Sequence, residues 1–305
     1  MKIHIAILSC GRPALLRLTT RWLLRSEPMA PIHIFDDSGG QPVSPSGGRL
    51  ISGVLEEFRA EGVLVTVTRN KSGHTTDRRK LNARCANQRA KALDWFLGVS
   101  AIGDVLFVKD DDILVPFSTV EEAASDLEFM ETTDYASTVA CMSLHGPAGR
   151  IGGLWPGPRG GIFTDLKLSG ESHVLFRRDA LLAVGNHFDA SKEKGFADIQ
   201  WGVLMDSGWR YVTRAWPPYA VQHLGIGPHG SVIYGEAAHQ PFWCAEMHQT
   251  VYHKRPVQLI GVPGFPVEEF REDALQVGGE EAARKLMEKR GESLWTFTSS
   301  PQASD

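Results

Sequence analysis

Short apolar runs and helical patterns alternate through the first half of the chain. Ile3-His4-Ile5-Ala6-Ile7-Leu8 predicts a strand, and residues 14–25 predict a helix with Leu15, Leu18 and Trp22 at helical spacing. Residues 31–35 predict a second strand, which ends in Asp36-Asp37-Ser38-Gly39-Gly40. A loop rich in Pro, Ser and Gly leads to a helix over 50–60 with Val54 and Phe58 facing inward, then to a strand over 63–67. A long helix over 81–97 carries Ala86, Ala90, Leu93 and Leu97 on one face. A fourth strand, 105–108, runs into Lys109-Asp110-Asp111-Asp112. This rhythm predicts an α/β fold with a mostly parallel central sheet and helices on both faces.

Beyond about residue 135 the rhythm changes. The Gly- and Pro-rich stretch 146–161 reads as a long loop, and loops of that length in a compact domain are usually functional. Trp155 within it is expected to be exposed and to act in a lid. The other aromatic residues of this half, Trp201, Trp209, Trp216, Trp243 and Tyr219, are expected to be mostly core. Strands are expected over 171–176 and 209–212, with helices over 178–184 and 198–207. From about residue 256 the chain is polar, with a charged surface helix over 280–290 and a frayed end.

Composition narrows the class. With 305 residues, 42% hydrophobic and 22% charged, the chain has the balance of an ordinary globular protein. A net charge of -4 does not favour a nucleic acid or an anionic membrane surface as partner. No apolar run approaches the roughly 20 residues of a membrane span, so no integral membrane association is expected. The apolar run at the start is shorter than a signal peptide core. Cys10, Cys85, Cys141 and Cys244 are scattered without a CxxC pair, as expected of reduced thiols in a cytoplasmic protein.

In open α/β sheets, ligands bind beyond the carboxyl ends of the strands. The residues leaving the expected strands are Ser9-Cys10-Gly11-Arg12, Asp36-Asp37-Ser38, Arg69-Asn70 and Asp110-Asp111-Asp112, so small, polar and acidic groups converge on one edge. Three adjacent aspartates repel one another, and a divalent cation with a preference for hard oxygen ligands offsets that cost. An acidic turn or helix start is the alternative. Residues 69–91 hold eight Lys or Arg and one acid, Asp77. A solvated helix face accounts for most of these charges, and attraction of a diphosphate or an anionic acceptor is the functional alternative. His223 has rivals downstream in His229, His239, His248 and His253, but no HExxH or similar zinc spacing occurs.

The order of these motifs resembles the GT-A fold of nucleotide-sugar glycosyltransferases, in particular the large inverting family 2. Ile5 to Pro13 resembles its opening strand and polar turn, and Phe35-Asp36-Asp37-Ser38-Gly39 its Asp-Asp-x-Ser stretch. Ala83-Arg84-Cys85-Ala86-Asn87 stands where the family has an Ala-Arg-Asn helix, with two residues inserted. Phe107 to Pro116 looks like the DxD segment, in either of two registers. Phe176 to Leu181, Val184-Gly185 and Phe188-Asp189 resemble the acceptor-side strand and its turn. Phe196-Ala197-Asp198 resembles a helix opening with a Glu-Asp pair, Ala197 replacing the glutamate, and Val221 to Gly225 resembles a late histidine segment.

This resemblance, over roughly residues 3–225, implies a GT-A (Rossmann-like) domain over 1–255. Its nucleotide-sugar-binding half would span about 1–135 and its smaller acceptor-side half about 136–255, followed by the polar extension 256–305. It implies transfer of a sugar from a nucleotide-sugar, expected to be a UDP-sugar, to an acceptor hydroxyl with inversion. The implied donor-binding residues are Ser9, Gly11, Arg12, Asp36, Asp37, Arg84, Asn87, Asp110 and Asp111. Mn²⁺ or Mg²⁺ would be held by Asp110, Asp112 and His223, and Asp198 would be the general base. The acceptor is expected to be a saccharide, a lipid-linked or a small molecule, with a modified DNA base less favoured. A nucleotidyltransferase on a similar sheet and a non-catalytic nucleotide-sugar-binding module are the alternatives.

Overall fold

The computed structural model describes residues 1–9, 13–24, 30–37, 51–69, 78–111, 113–131, 139–144, 151–166, 173–187, 199–217, 219 and 221–223. The polar extension beyond residue 256 and its expected helix lie outside them.

The first half follows the apolar pattern closely: β1 (Ile3–Ser9), α1 (Pro13–Leu24), β2 (Ile32–Asp36), α2 (Ile51–Ala60), β3 (Val65–Arg69), α3 (Arg78–Val99) and β4 (Val105–Asp110). Pro13 opens α1, where its missing N–H costs no helical hydrogen bond. The second half is built from β5 (Ile113–Leu114), α4 (Phe117–Glu131), β6 (Val139–Ser143), β7 (Ile151–Pro156), β8 (Ile162–Leu166), β9 (His173–Arg177), α5 (Arg178–Val184), α6 (Ile199–Asp206), β10 (Arg210–Trp216) and β11 (Gln222–His223).

Nine strands form one sheet in the order β3-β2-β1-β4-β9-β6-β10-β8-β7, and β5 and β11 form a separate two-stranded ladder. The large sheet is mixed, which corrects the mostly parallel sheet expected. Its eight pairings divide into four parallel and four antiparallel, and the β5–β11 ladder is antiparallel as well. Only β9 and β8 run against the others, but each sits between two strands and so reverses two pairings.

Side chains alternate across the sheet with the period of two that strands impose. Ile5, Ile7, Ile32, Ile34, Val105 and Phe107 pack with α1, α2 and α4 on one face. Ala6, Leu8, Phe35, Leu106 and Val108 pack with α3, α5 and α6 on the other. The α/β class with helices on both faces therefore holds. Val54 and Phe58 are fully buried, and Ala86, Ala90 and Leu93 face the core, as their spacing predicts.

The described part of the Gly-rich stretch expected as a loop, 151–161, folds instead into β7 and its turn to β8. Gly152 and Gly153 fall in a register shift of this edge strand, an irregularity that small residues accommodate. A Cβ on Gly157 would lie 2.3 Å from the Phe163 ring, and one on Gly161 would lie 2.6 Å from Arg214 Nε. Trp155 is half-buried, stacked on Phe163 at 5.3 Å between ring centroids, with the Arg210 guanidinium 5.0 Å over its ring. This corrects its expected exposure. The more exposed tryptophan is Trp216, at 66%, whereas Tyr219 is buried. The side chains of Trp201 and Trp243 lie outside the described residues.

Candidate functional site at the carboxyl edge of the sheet

Three connections set the order of the first four strands. The chain steps from β1 to β2 to β3 in one direction, and α3 then carries it back across to β4 on the other side of β1. At such a reversal of strand order the loops diverge and leave a crevice beyond the carboxyl ends. Here the reversal falls between β1 and β4.

Polar residues terminate every strand around it. Ser9, Asp36 and Arg69 are in register across β1, β2 and β3, and Asp110 is in register with Leu8. Ser9, Asp36 and Asp111 are fully buried and Asp37 nearly so. The Asp37 N–H donates to Ser9 O at 2.9 Å, and the Asp111 N–H donates to Leu8 O at 2.9 Å, so pairing continues past the strand ends. Ser9 Oγ donates to Asp111 Oδ2 at 2.9 Å. The Asp111 carboxylate is thus turned inward, while the Asp110 side chain stays 28% exposed, 3.7 Å from the Arg89 guanidinium. Arg69 Nε lies 3.8 Å from Asp36 Oδ2. Two of the eight basic residues in 69–91, Arg69 and Arg89, therefore face these acids.

Side chains not singled out from the sequence brace this edge. Gln88 of α3, nearly enclosed, donates from Nε2 to Ser9 O and to Phe35 O, both at 2.7 Å. Its neighbour Asn87, expected at the donor site, is half-buried. Lys109 is fully buried, and its Nζ donates to Thr19 Oγ1 and to Asp110 O, both at 3.0 Å. Thr19 Oγ1 in turn donates to Asp111 O at 3.0 Å. A lysine continuing the apolar strand 105–108 directly before an acidic run was the available sequence signal.

A second group of contacts links the acidic turn to the end of the described chain. Ile113 and Leu114 pair with His223 and Gln222 respectively, so the backbone of His223 is opposite the residue that follows Asp112. Tyr219 anchors this segment from below: its hydroxyl donates to Asp126 Oδ2 at 2.8 Å and lies 2.9 Å from Met142 Sδ. Burial pushes the Tyr219 phenol up, and the Asp126 charge adds to this, so it stays a donor at any working pH. Burial also pushes the Asp126 carboxyl up, against the pull of Arg159, whose Nη2 is 2.8 Å away. Glu122 and Arg214 pair beside them.

Of the expected site residues, the structure brings together Ser9, Asp36, Asp37, Asp110 and Asp111. Gly11, Arg12, Asp112 and Asp198 lie outside the described residues, as do the side chains of Arg84 and His223, residues 188–189 and the histidines from His229 onward. Among the described residues no three His, Cys, Asp or Glu side chains gather into a metal site. No helix among them is long and apolar enough to cross a membrane.

No protein-family model matches the chain, and no curated protein does. Among solved structures, the chain is similar to 4-diphosphocytidyl-2C-methyl-D-erythritol synthase from Anaerococcus prevotii, at 9% identity and TM-score 0.36, covering 78% of this chain and 96% of that one. It is also similar to the galactosyltransferase LgtC in complex with donor and acceptor sugar analogues, at 11% identity and TM-score 0.39, covering 77% of this chain and 93% of that one. An active-site mutant of LgtC aligns at 10% identity and TM-score 0.36, over 68% of this chain and 72% of that one. These likenesses concern the path of the chain alone.

Proposed function

We propose that the chain is a metal-dependent glycosyltransferase that binds a nucleotide-sugar at the carboxyl edge of its sheet. The observation that carries this reading is the convergence of Ser9, Asp36, Asp37, Asp110 and Asp111 at the carboxyl edge where the strand order reverses. Acids at the end of β2 suit nucleoside hydroxyls, which donate to carboxylates. Those at the end of β4 suit a cation that accompanies a diphosphate.

The donor chemistry fits a hard divalent cation. Asp111 bonds Ser9, which leaves the partly exposed Asp110 and its second neighbour Asp112 as the pair proposed to hold the cation. The β5–β11 ladder supports His223 as the third ligand, because it sets the His223 backbone across from Ile113. Carboxylates and one imidazole suit Mn²⁺ or Mg²⁺. When bound, such a cation neutralises charge on the leaving diphosphate. The acceptor hydroxyl oxygen forms its bond to the anomeric carbon as the bond to the diphosphate oxygen breaks, and the electron pair departs with the nucleoside diphosphate. Asp198, one residue before α6, takes the acceptor proton in an inverting reaction. Arg89 and Arg69, each facing a carboxylate at the carboxyl edge, draw the donor's negative charge toward it.

A thermal-shift screen of UDP-, GDP-, CMP- and dTDP-sugars, with Mn²⁺ and with EDTA, tests the reading. A ligand that binds only the folded state raises the melting temperature by mass action. One nucleotide class is expected to raise it with Mn²⁺ only, and Asp112→Ala is expected to remove that rise. A rise that EDTA leaves intact overturns the metal role. Release of pyrophosphate from a nucleoside triphosphate and a sugar phosphate would establish nucleotidyl transfer instead.

A further inference from the structure

Lys109 is the one basic side chain among the described residues with no exposed surface at all, and it stands immediately before the acidic run. Enclosing an ammonium is costly unless it is paired and hydrogen-bonded. Its position shows what offsets that cost. Residue alternation turns Lys109 away from α3 and toward α1, where Nζ meets the buried hydroxyl of Thr19 at 3.0 Å. The same Nζ donates to the Asp110 carbonyl at 3.0 Å, and Thr19 passes the interaction on to the Asp111 carbonyl at 3.0 Å. One cation thus holds the carbonyls of the first two acids of the run, one directly and one through a single hydroxyl. The buried carboxylates of Asp36, Asp37 and Asp111 belong to the same carboxyl edge of the sheet.

We propose that Lys109 is a positioning residue, an internal counter-ion that preforms the acidic turn and partly offsets its charge before any external cation arrives. This rests on the proposed function for its consequence, but not for its physical basis. A bound divalent cation does the same from the solvent side. Lys109 therefore weakens divalent-cation binding by charge while it keeps the turn assembled in the cation-free protein. A residue that served only as a hydrogen-bonding anchor for two carbonyls would have no such opposed effects.

The test is a double-variant cycle in EDTA followed by Mn²⁺ titration, both read as melting temperature of the full chain. In EDTA, Lys109→Met is expected to lower the melting temperature by roughly 10 °C, as a lost partner of buried charges does. Adding Asp111→Asn, which keeps an acceptor for Ser9 but removes a charge, is expected to recover a substantial part of that loss. The same change in the wild-type background lowers stability. A double variant no more stable than Lys109→Met overturns the proposal, whether or not the single variant folds. With Mn²⁺, Lys109→Met is expected to bind the cation on the order of tenfold more tightly than wild type. Equal or weaker binding overturns the counter-ion role. A wild-type chain that shows no Mn²⁺ response sinks the metal reading of the site, while the cycle in EDTA still decides the role of Lys109.

Discussion

The side-chain amide of Gln88 is shared between the carbonyls of Ser9 and Phe35, tying the ends of β1 and β2 to α3 at 2.7 Å each. Gln88→Leu keeps the volume and removes both bonds. It is expected to cost about 2 kcal/mol in urea unfolding, since two hydrogen bonds at a nearly enclosed site are lost. It should also weaken any nucleotide-sugar shift, because Ser9 and Asp36 then lose their brace. The helix carrying Gln88 was legible from its apolar face, but the residue that reaches the strand ends was not. Positions 87 and 88 differ by about 100° around a helix axis, and the family-like motif there carries two extra residues. Only the seating of α3 on the sheet chose Gln88 over Asn87. Asp111 is a similar case. Nothing in three consecutive aspartates tells which one turns inward, and the choice was made by a serine 102 residues earlier in the chain.

At the scale of elements, the acidic turn, α4 and the segment carrying His223 are joined twice, by the β5–β11 ladder and by Tyr219 on Asp126. Tyr219→Phe removes only the hydroxyl and leaves the Asp126 carboxylate short of one donor in a buried place. The expected cost is about 1–3 kcal/mol. If the ladder serves the site, the Mn²⁺-dependent shift with the nucleotide-sugar should shrink more than the loss of melting temperature in EDTA would suggest. A variant that loses stability alone, with an unchanged Mn²⁺ shift, would show the strut to be unrelated to ligand binding. The two-residue strands of this ladder are too short to show a periodicity, so no local pattern marks them. The β7–β8 hairpin was hidden for another reason. Its glycines and prolines mark turns in isolation, and here they permit close packing around Phe163 and an irregular edge strand.

Taken whole, the molecule separates its candidate site from a polar anchor at the other end of the strands. The carboxyl edge carries the acids, and the opposite edge is closed by Asp104. That carboxyl accepts from the Lys2 N–H at 2.9 Å, the Ala101 N–H at 2.9 Å and His4 Nε2 at 3.0 Å. Burial alone would push Asp104 up, but the Ala101 N–H, the His4 ring and the Lys2 N–H outweigh it and hold the carboxyl below its ordinary value. A carboxyl depressed in the folded state stabilises the fold above its unfolded pKa of about 3.9, and this contribution is lost as pH falls through the folded value. Asp104→Asn is accordingly expected to destabilise the chain at neutral pH, and the difference from wild type should shrink as unfolding is measured from about pH 5 toward about pH 2. A difference that stays constant across that window would mean the carboxylate charge contributes nothing there.

The sequence by itself determined the succession of strands and helices in the first half, the faces they bury and the acids that leave β2 and β4. Each of these follows from the spacing of apolar residues within a dozen positions, which fixes a local period and a local direction. Tertiary structure alone decided that β9 enters the sheet reversed between β4 and β6, that Lys109 lies beneath the acidic turn, and that His223 returns opposite Ile113. Those outcomes depend on hydrogen bonds between residues far apart in the chain, and the energy of such a bond is set by what the fold brings within 3 Å, which no local period encodes.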